Sequence, residues 1–270
     1  MIMKTLNQYI KEKLIINKDY HDNKIVVKSF DELRKIIEDR YDKLGAGTKQ
    51  NPIDFNDIDV SNLDSFYNSN TYYRGLFEGT NFKYIDISDW DVYNVVSMQD
   101  MFHGCYELES VGDLSYWDVS KLTDMYSMFY DCKSLNQDLS KWNVSNVNNM
   151  AYVFYGCEKF NQDLSKWNVS NVTDMSHMFQ DCKNFNKDIS DWDVSNVTDM
   201  SCMFWNCDSF NQDISNWDVS KVINMIRMFS GCKSFNQDLS DWDVSKVKFK
   251  TYAFLICPIK DEYKPKFKYI

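Results

Sequence analysis

The hydrophobic positions of this chain recur with one fixed period. Seven tryptophans are separated by 27 residues once and then by 25 residues five times, and seven cysteines follow with the same spacings. They are Trp90, Trp117, Trp142, Trp167, Trp192, Trp217 and Trp242, and Cys105, Cys132, Cys157, Cys182, Cys207, Cys232 and Cys257. Two residue types therefore mark one repeat. Such a period predicts stacked units, none of which can bury its apolar face alone.

Each unit contains two hydrophobic patterns in succession. Trp192 and Val194 alternate like a strand, and the apolar residues from Val197 to Cys207 are spaced by three and four, like a helix. Thr198 and Asp199 are suited to begin that helix. We therefore predict rungs of one short strand and about two helical turns. The residues predicted to point into the core are Trp192, Val194, Met203, Phe204, Cys207, Phe210 and Ile214.

The repeat begins with a degenerate rung near Ile58 and ends at Cys257, which gives about eight rungs. Before it, Leu6, Ile10 and Leu14 predict a short helix, and Lys24 to Val27 predict a strand. Ser29 and Glu32 form a capping box for a second helix, which Gly45 is suited to end. The predicted domains are an N-terminal α+β capping module at 1–57, a repeat solenoid at 58–257 and a basic C-terminal tail at 258–270.

The repeated frame MFxxCxxFNQDISxWDVSNVTDM occurs from Met178 to Met200, with Lys187 in place of Gln. This frame resembles the BspA-like leucine-rich-repeat family, whose AFxxCxxLxxIxIP core aligns with the MetPhe, Cys, Phe and Ile positions of each rung. The resemblance covers residues 58–257. It implies an α/β leucine-rich-repeat-like solenoid of about eight short strand–helix rungs with an N-terminal α+β cap. It also implies a binding or adhesive scaffold, as in bacterial surface lipoproteins and phage or large-virus proteins.

Composition narrows the classes of partner. With 44 % hydrophobic and 16 % aromatic residues the chain has ample core material, which excludes disorder. Residues 58–245 hold 12 basic and 28 acidic residues. An acidic body repels phosphate backbones, so we expect no nucleic-acid partner. No apolar run is long enough for a membrane span and no signal peptide is recognisable. These features predict a cytoplasmic or virion-associated protein, with the cell surface as the alternative.

No unique catalytic constellation is visible. His21, His103 and His177 occupy unrelated frames, and nucleophile-elbow, phosphate-loop and HExxH motifs are absent from the sequence. We therefore predict no enzyme activity and no cofactor, and an enzyme is the least favoured of the alternatives.

Two repeated columns could hold metal ions or disulfides. For the column Asp138, Asp163, Asp188, Asp213 and Asp238, calcium is one interpretation, and turns closed by backbone hydrogen bonds are the favoured one. For the cysteine column we favour reduced, buried thiols that act as small hydrophobic groups over disulfides. Cys202 lies outside that column, among Ser127, Tyr152, His177 and Arg227, and is predicted to be exposed. No metal site is predicted.

Binding is the use that remains for this surface. One predicted helix-face column varies and carries aromatic residues, which are common in interface hot spots. The predicted binding residues are Tyr130, Tyr152, Tyr155, His177 and Trp205. Tolerated variation on a solvated face, or binding through the uniform Asp and Asn column that contains Asp193, remain alternatives. The sequence predicts a non-catalytic protein-binding scaffold of bacterial or phage origin, with a cell-surface or virion adhesin as the alternative.

Overall fold

The computed structural model describes residues 24–72 and 74–267. The described elements are β1 (Ile25–Val26), α1 (Phe30–Leu44), β2 (Ile53–Asp54), β3 (Ile58–Asp59), β4 (Ile85–Asp86) and a 3₁₀ turn at Asp261–Tyr263. Strand β1 pairs in parallel with β3, and β2 pairs in parallel with β4. The short helix predicted at Leu6 to Leu14 lies outside the described residues. Within them, no helix is both long and apolar enough to cross a bilayer.

Helix α1 begins and ends where its sequence signals predict. The Ser29 Oγ accepts a hydrogen bond from the Glu32 amide at 3.2 Å, and the Glu32 carboxylate accepts one from the Lys28 amide at 2.8 Å. At the other end, Gly45 has φ 74° and its amide donates to the carbonyl of Tyr41. The serine cap and the glycine stop are therefore confirmed, while the second bond of the capping box goes to the Lys28 amide and not to that of the cap residue Ser29. The buried residues Phe30, Leu33 and Ile37 face the first rung.

The repeats stack so that each residue lies against its equivalent one unit away. A column of single-residue parallel bridges joins the rungs, as between Asp174 and Asp199. Phe179 and Phe204 stack in the core with ring centroids 5.9 Å apart and planes 7° apart. Every residue predicted to point inward from Trp192 to Ile214 is at most 3 % exposed, so the predicted core is confirmed.

The prediction of strand–helix rungs is wrong, and with it the α/β fold class. In the described residues α1 is the one α-helix, and the repeats consist of turns joined by isolated bridges. Cys202 and Asn206 have φ 57° and 59°, and their equivalents in other rungs are also left-handed. A right-handed helix cannot pass through such residues. The chain instead makes four-residue β-turns, in which the amides of Met203, Trp205 and Cys207 donate to the carbonyls three residues earlier.

The amides that alternate with those turn donors bond to the next rung, and all of them point the same way. The N–H groups of Met200, Cys202, Phe204 and Asn206 donate to carbonyls of the following unit, at Asn224, Ile226, Met228 and Ser230. The same four bonds recur in the neighbouring rungs. This segment therefore sends its N–H groups toward the C-terminal end of the stack and accepts through carbonyls that face the N-terminal end.

Arg34 of α1 covers the carbonyls at the N-terminal end. Its Nη1 donates to the carbonyl oxygens of Leu76 at 2.9 Å and Glu78 at 3.2 Å. These two carbonyls are equivalent to those of Met101 and His103, which accept from the preceding rung. The guanidinium therefore takes the place of a missing rung.

Two side-chain columns tie each rung to the one before it. The Trp192 Nε1 donates to the carbonyl of Leu164 at 3.0 Å, and the Cys207 Sγ donates to that of Phe179 at 2.8 Å. Equivalent bonds recur along both columns. Burial raises the pKa of the Cys105 thiol to about 12 and that of Cys207 well above its ordinary value. The predicted burial of this column is confirmed from Cys105 to Cys232, while Cys257 in the last rung is only partly buried.

Ile256 is a β-branched residue at the left-handed position equivalent to Asn206. It has φ 55°, and its side chain is 75 % exposed. The left-handed conformation costs an L-residue roughly 1–2 kcal/mol, and asparagine tolerates it better than isoleucine. We expect Ile256→Asn to stabilise the fold by about 1 kcal/mol because strain is relieved and little packing is lost. Thermal unfolding monitored by circular dichroism measures the gain. Leu255→Asn, beside it and outside the left-handed region, serves as control and should give none.

Candidate binding surface

The side chains of both acidic columns, the uniform one with Asp193 and the one with Asp213, accept hydrogen bonds that close turns in their own rungs. The Asp193 Oδ1 accepts from the Ser195 amide at 3.0 Å, and the Asp213 Oδ1 accepts from the Ser215 amide at 3.0 Å. Hydrogen bonds from these serines lower the pKa of both carboxyl groups. The turn interpretation of the acidic columns is therefore confirmed. In the described part of the chain, no group of three His, Cys, Asp or Glu side chains is placed to hold a metal ion.

Two variable columns run side by side on another surface. The Tyr130 column contains His103, Tyr130, Tyr155, Gln180, Trp205 and Ser230. The Tyr152 column contains Asp100, Ser127, Tyr152, His177, Cys202, Arg227 and Tyr252, all with φ between 52° and 61°. The left-handed backbone lets the Tyr152 column donate its amides to the next rung while its side chains flank the Tyr130 column. Together the two columns and Tyr126 form what we call the aromatic face.

Four of the five predicted binding residues lie in one cluster of stacked rings. Tyr130 and Tyr155 are parallel, with centroids 4.3 Å apart and planes 3° apart. Tyr152 stacks on His177 at 4.3 Å and packs edge-on against Tyr126 at 5.6 Å. All four predicted residues are half-buried, because each covers part of its neighbour. Burial raises the pKa of Tyr130 and of Tyr152, so both phenols stay protonated at neutral pH.

Hydrogen bonds hold the histidine of this cluster. The His177 Nδ1 lies 2.6 Å from the Oε1 of Gln180, which is only 4 % exposed. Gln180 in turn donates to Asp181 at 3.2 Å. The imidazole is therefore held in place as a platform for the Tyr152 ring.

Trp205, the fifth predicted residue, lies apart from the tyrosine cluster and pairs with a cation. The Arg227 guanidinium carbon lies 4.7 Å from the centre of the Trp205 ring and 5.7 Å from that of Tyr252. Such a cation over an aromatic ring contributes about 0.5–1 kcal/mol at an exposed site. The aromatic face is thus continued by an aromatic–arginine pair toward the C-terminal end.

An open depression of about 440 Å³ lies at the N-terminal side of the tyrosine cluster. Ser127 and Asp100 line it together with Tyr126, Tyr130 and Tyr152. Ser127 is only 3 % exposed, so the larger side chains around it form most of the wall. Glu78, His103, Arg74 and Tyr72 complete the lining.

The carboxylate in this depression is poorly solvated. Asp100 is 9 % exposed, and its Oδ2 accepts a hydrogen bond from Gln99 at 3.3 Å. Burial raises the pKa of Asp100, partly opposed by the hydrogen bond from Gln99 and by the charges of His103 and Arg74. A cationic group entering the depression would stabilise the ionised carboxylate.

The prediction that Cys202 is exposed is wrong. Its side chain is 6 % exposed, and burial raises the pKa of its thiol to about 11. The varied side chains of its column indicated a solvated face, but only Tyr252 in that column is exposed, and Asp100, Ser127 and Cys202 are buried. A small residue between large ones is therefore screened from solvent.

Sequence reasoning placed the aromatic residues on one face but missed Asp100, Ser127 and Tyr126. The signal for Ser127 was available, since it is the smallest residue of its column. The signal for Asp100 was obscured, because a spacing of 27 instead of 25 residues separates it from Ser127.

A family described as Mycoplasma protein of unknown function, DUF285, matches the chain twice, over residues 71–190 and 154–260. The search of curated proteins finds no match. The two matched segments overlap and together span residues 71–260, well over half of the chain. They include the stacked rungs and the whole tyrosine cluster. The chain therefore belongs to the DUF285 family.

Proposed function

We propose that this protein is a non-catalytic scaffold, of the BspA-like kind, that binds a partner protein through the aromatic face. The observation that carries the proposal is the cluster of half-exposed, stacked rings formed by Tyr130, Tyr152, Tyr155 and His177. Tyrosine and tryptophan supply large contact areas at low conformational cost and dominate interface hot spots. Since each ring is already fixed by its neighbour, less side-chain entropy is lost on binding.

The competing surface is less suited to recognition. The Asp and Asn column presents carboxylates and amides whose oxygens already accept from their own turns, as Asp193 does from Ser195. Using them to bind a partner would compete with those turns. Truncating Tyr155 or Trp205 on the aromatic face removes a ring without opening such a turn.

Alanine at Tyr155 or Trp205 tests the proposal. Neither residue is left-handed, so truncation leaves the backbone unstrained. Each change should weaken partner binding by about 2 kcal/mol or more, roughly 30-fold, as for a hot-spot residue. The measurement is retention of the native partner on immobilised wild-type and variant protein, followed by titration of the purified complex.

Asp193→Asn is the matched control, because Asn168 closes the same turn in the neighbouring rung. This variant should bind the partner like the wild type. If Asp193→Asn abolishes binding while Tyr155→Ala and Trp205→Ala have no effect, the Asp and Asn column is the binding surface and the proposal is wrong.

A further inference from the structure

The Tyr152 column contains two equivalent positions that differ in one respect. Ser127 and Arg227 lie four rungs apart, have φ 52° and 54°, and each donates its amide to the next rung at 3.0 Å. Their backbones are thus alike. At Arg227 a guanidinium fills the space above the column, and at Ser127 that space is the open depression.

The walls of the two places also correspond. The Arg227 guanidinium lies between Trp205 of the preceding rung and Tyr252 of the following rung. Around Ser127 the equivalent residues are His103 and Tyr152, and Tyr130 and Tyr126 of the same rung add two further rings. The ring of His103 stacks on Tyr130 at 4.5 Å. Since Tyr155 covers the other face of Tyr130, the ring that can attract a cation here is Tyr152, through the face opposite His177.

One difference makes the Ser127 depression better suited to a cation. The residue before Ser127 in the column is Asp100, whereas the residue before Arg227 is Cys202. A largely buried carboxylate thus lines the space that a guanidinium fills four rungs away. Glu78 adds a second carboxylate to the lining, and Arg74 and His103 are the nearby groups that oppose it.

We propose that the depression over Ser127 binds a cationic side chain of the partner protein, an arginine in preference to a lysine, on the face of Tyr152 with Asp100 as its counter-ion. This inference rests on the proposed function, since it names the group that the aromatic face recognises. Arginine is preferred because its planar guanidinium stacks on rings and can donate two parallel hydrogen bonds to a carboxylate.

A short peptide with one arginine is the probe. The peptide Ac-Gly-Gly-Arg-Gly-Gly-NH₂ is titrated into the ¹⁵N-labelled full chain and followed by NMR. We expect saturable shifts centred on the Ser127 and Tyr130 amides. The peptide with citrulline, a neutral isostere of arginine, should bind at least tenfold more weakly, and the lysine peptide should fall between the two. Equal affinity for the arginine and citrulline peptides would overturn the inference.

Two variants separate the cation site from a general charge effect. Ser127→Arg places a tethered guanidinium where Arg227 has one, and should weaken binding of the arginine peptide at least tenfold. Tyr116→Arg adds the same charge at a 75 % exposed site outside the depression and should change the affinity less than twofold. If both variants weaken binding equally, only overall charge matters and the inference is wrong.

Asp100→Asn removes the counter-ion and keeps a residue that tolerates the left-handed backbone. It should weaken the arginine peptide at least fivefold and reduce the preference for arginine over citrulline. This variant decides the question if Ser127→Arg does not fold. Loss of partner binding on Tyr155→Ala without any binding of the arginine peptide would leave the proposed function standing and refute the cation site alone.

Discussion

Replacing Phe204 with alanine should destabilise the protein by about 3–5 kcal/mol, as a buried phenylalanine truncation does. The Phe204 ring is fully buried and lies 5.5 Å from Phe229, 5.9 Å from Phe179 and 4.1 Å from Phe210. Removing it opens a cavity that three rungs share. Because rungs are stabilised mainly by their neighbours, the loss should spread along the stack. Urea unfolding followed by tryptophan fluorescence measures the change.

Asn216→Ala is the control, because this exposed residue lies in the adjacent turn outside the core. It should change the free energy of unfolding by less than about 0.5 kcal/mol, the usual range for surface substitutions. Similar losses for Phe204→Ala and Asn216→Ala would show that the stacked core is placed wrongly.

Replacing Gly156 with valine should cost roughly 2–4 kcal/mol, from left-handed strain and overpacking together. Gly156 has φ 69°, and a Cβ built there would lie 2.1 Å from the Oδ1 of Asp131. A β-branched residue both resists this conformation and collides with the carboxylate. Thermal unfolding of the purified variant gives the loss of stability.

Gly156→Asn should destabilise the protein far less than Gly156→Val, although asparagine adds more atoms at this position than alanine would. Two rungs later Asn206 occupies the equivalent position with φ 59°, and its Nδ2 donates to Asp181 Oδ1 at 3.0 Å. An asparagine at 156 can make the same bond to Asp131 after a small side-chain shift. If valine and asparagine destabilise equally, left-handed geometry is not what the position requires.

The sequence predicted the buried residues correctly and the backbone between them wrongly, for one physical reason. Met200, Met203, Phe204 and Cys207 are spaced as on one face of a helix, and the structure buries all four. A series of four-residue turns that contain left-handed residues also returns the chain to the core every three or four residues. Hydrophobic spacing therefore could not distinguish the two backbones.

A separate signal could have distinguished them. The column equivalent to Asn206 contains Gly79, Gly104, Asp131, Gly156, Asp181 and Gly231, all left-handed in the structure. Glycine, asparagine and aspartate are the residues that adopt this conformation most readily. Their recurrence in one column, in the last turn of each predicted helix, indicates a turn in each rung. The other left-handed column, with Tyr152, His177 and Arg227, carries no such signal.

For the candidate site, period alone placed the aromatic residues together but could not show a depression. Tyr130, Tyr152, Tyr155 and His177 are close because equivalent residues of stacked rungs must be neighbours. The depression depends on what departs from the repeat: a serine where other rungs have larger side chains, and an aspartate displaced by two extra residues. Such irregularities have meaning only once the packing around them is known.

Within the segment from Met200 to Asn206 and its equivalents, the backbone hydrogen bonds between rungs run one way and give the segment an electric dipole. In each unit four N–H groups point toward the C-terminal end, much as in a helix, where aligned peptides leave partial positive charge at one end and partial negative charge at the other. The Arg34 cation is therefore on the electrostatically favourable, carbonyl end. In the last described rung, the amides of Tyr252, Phe254 and Ile256 find no acceptor among the described residues. Donors that face donors make no hydrogen bonds, so these three amides cannot pair with their equivalents in a second copy that meets the stack tail to tail.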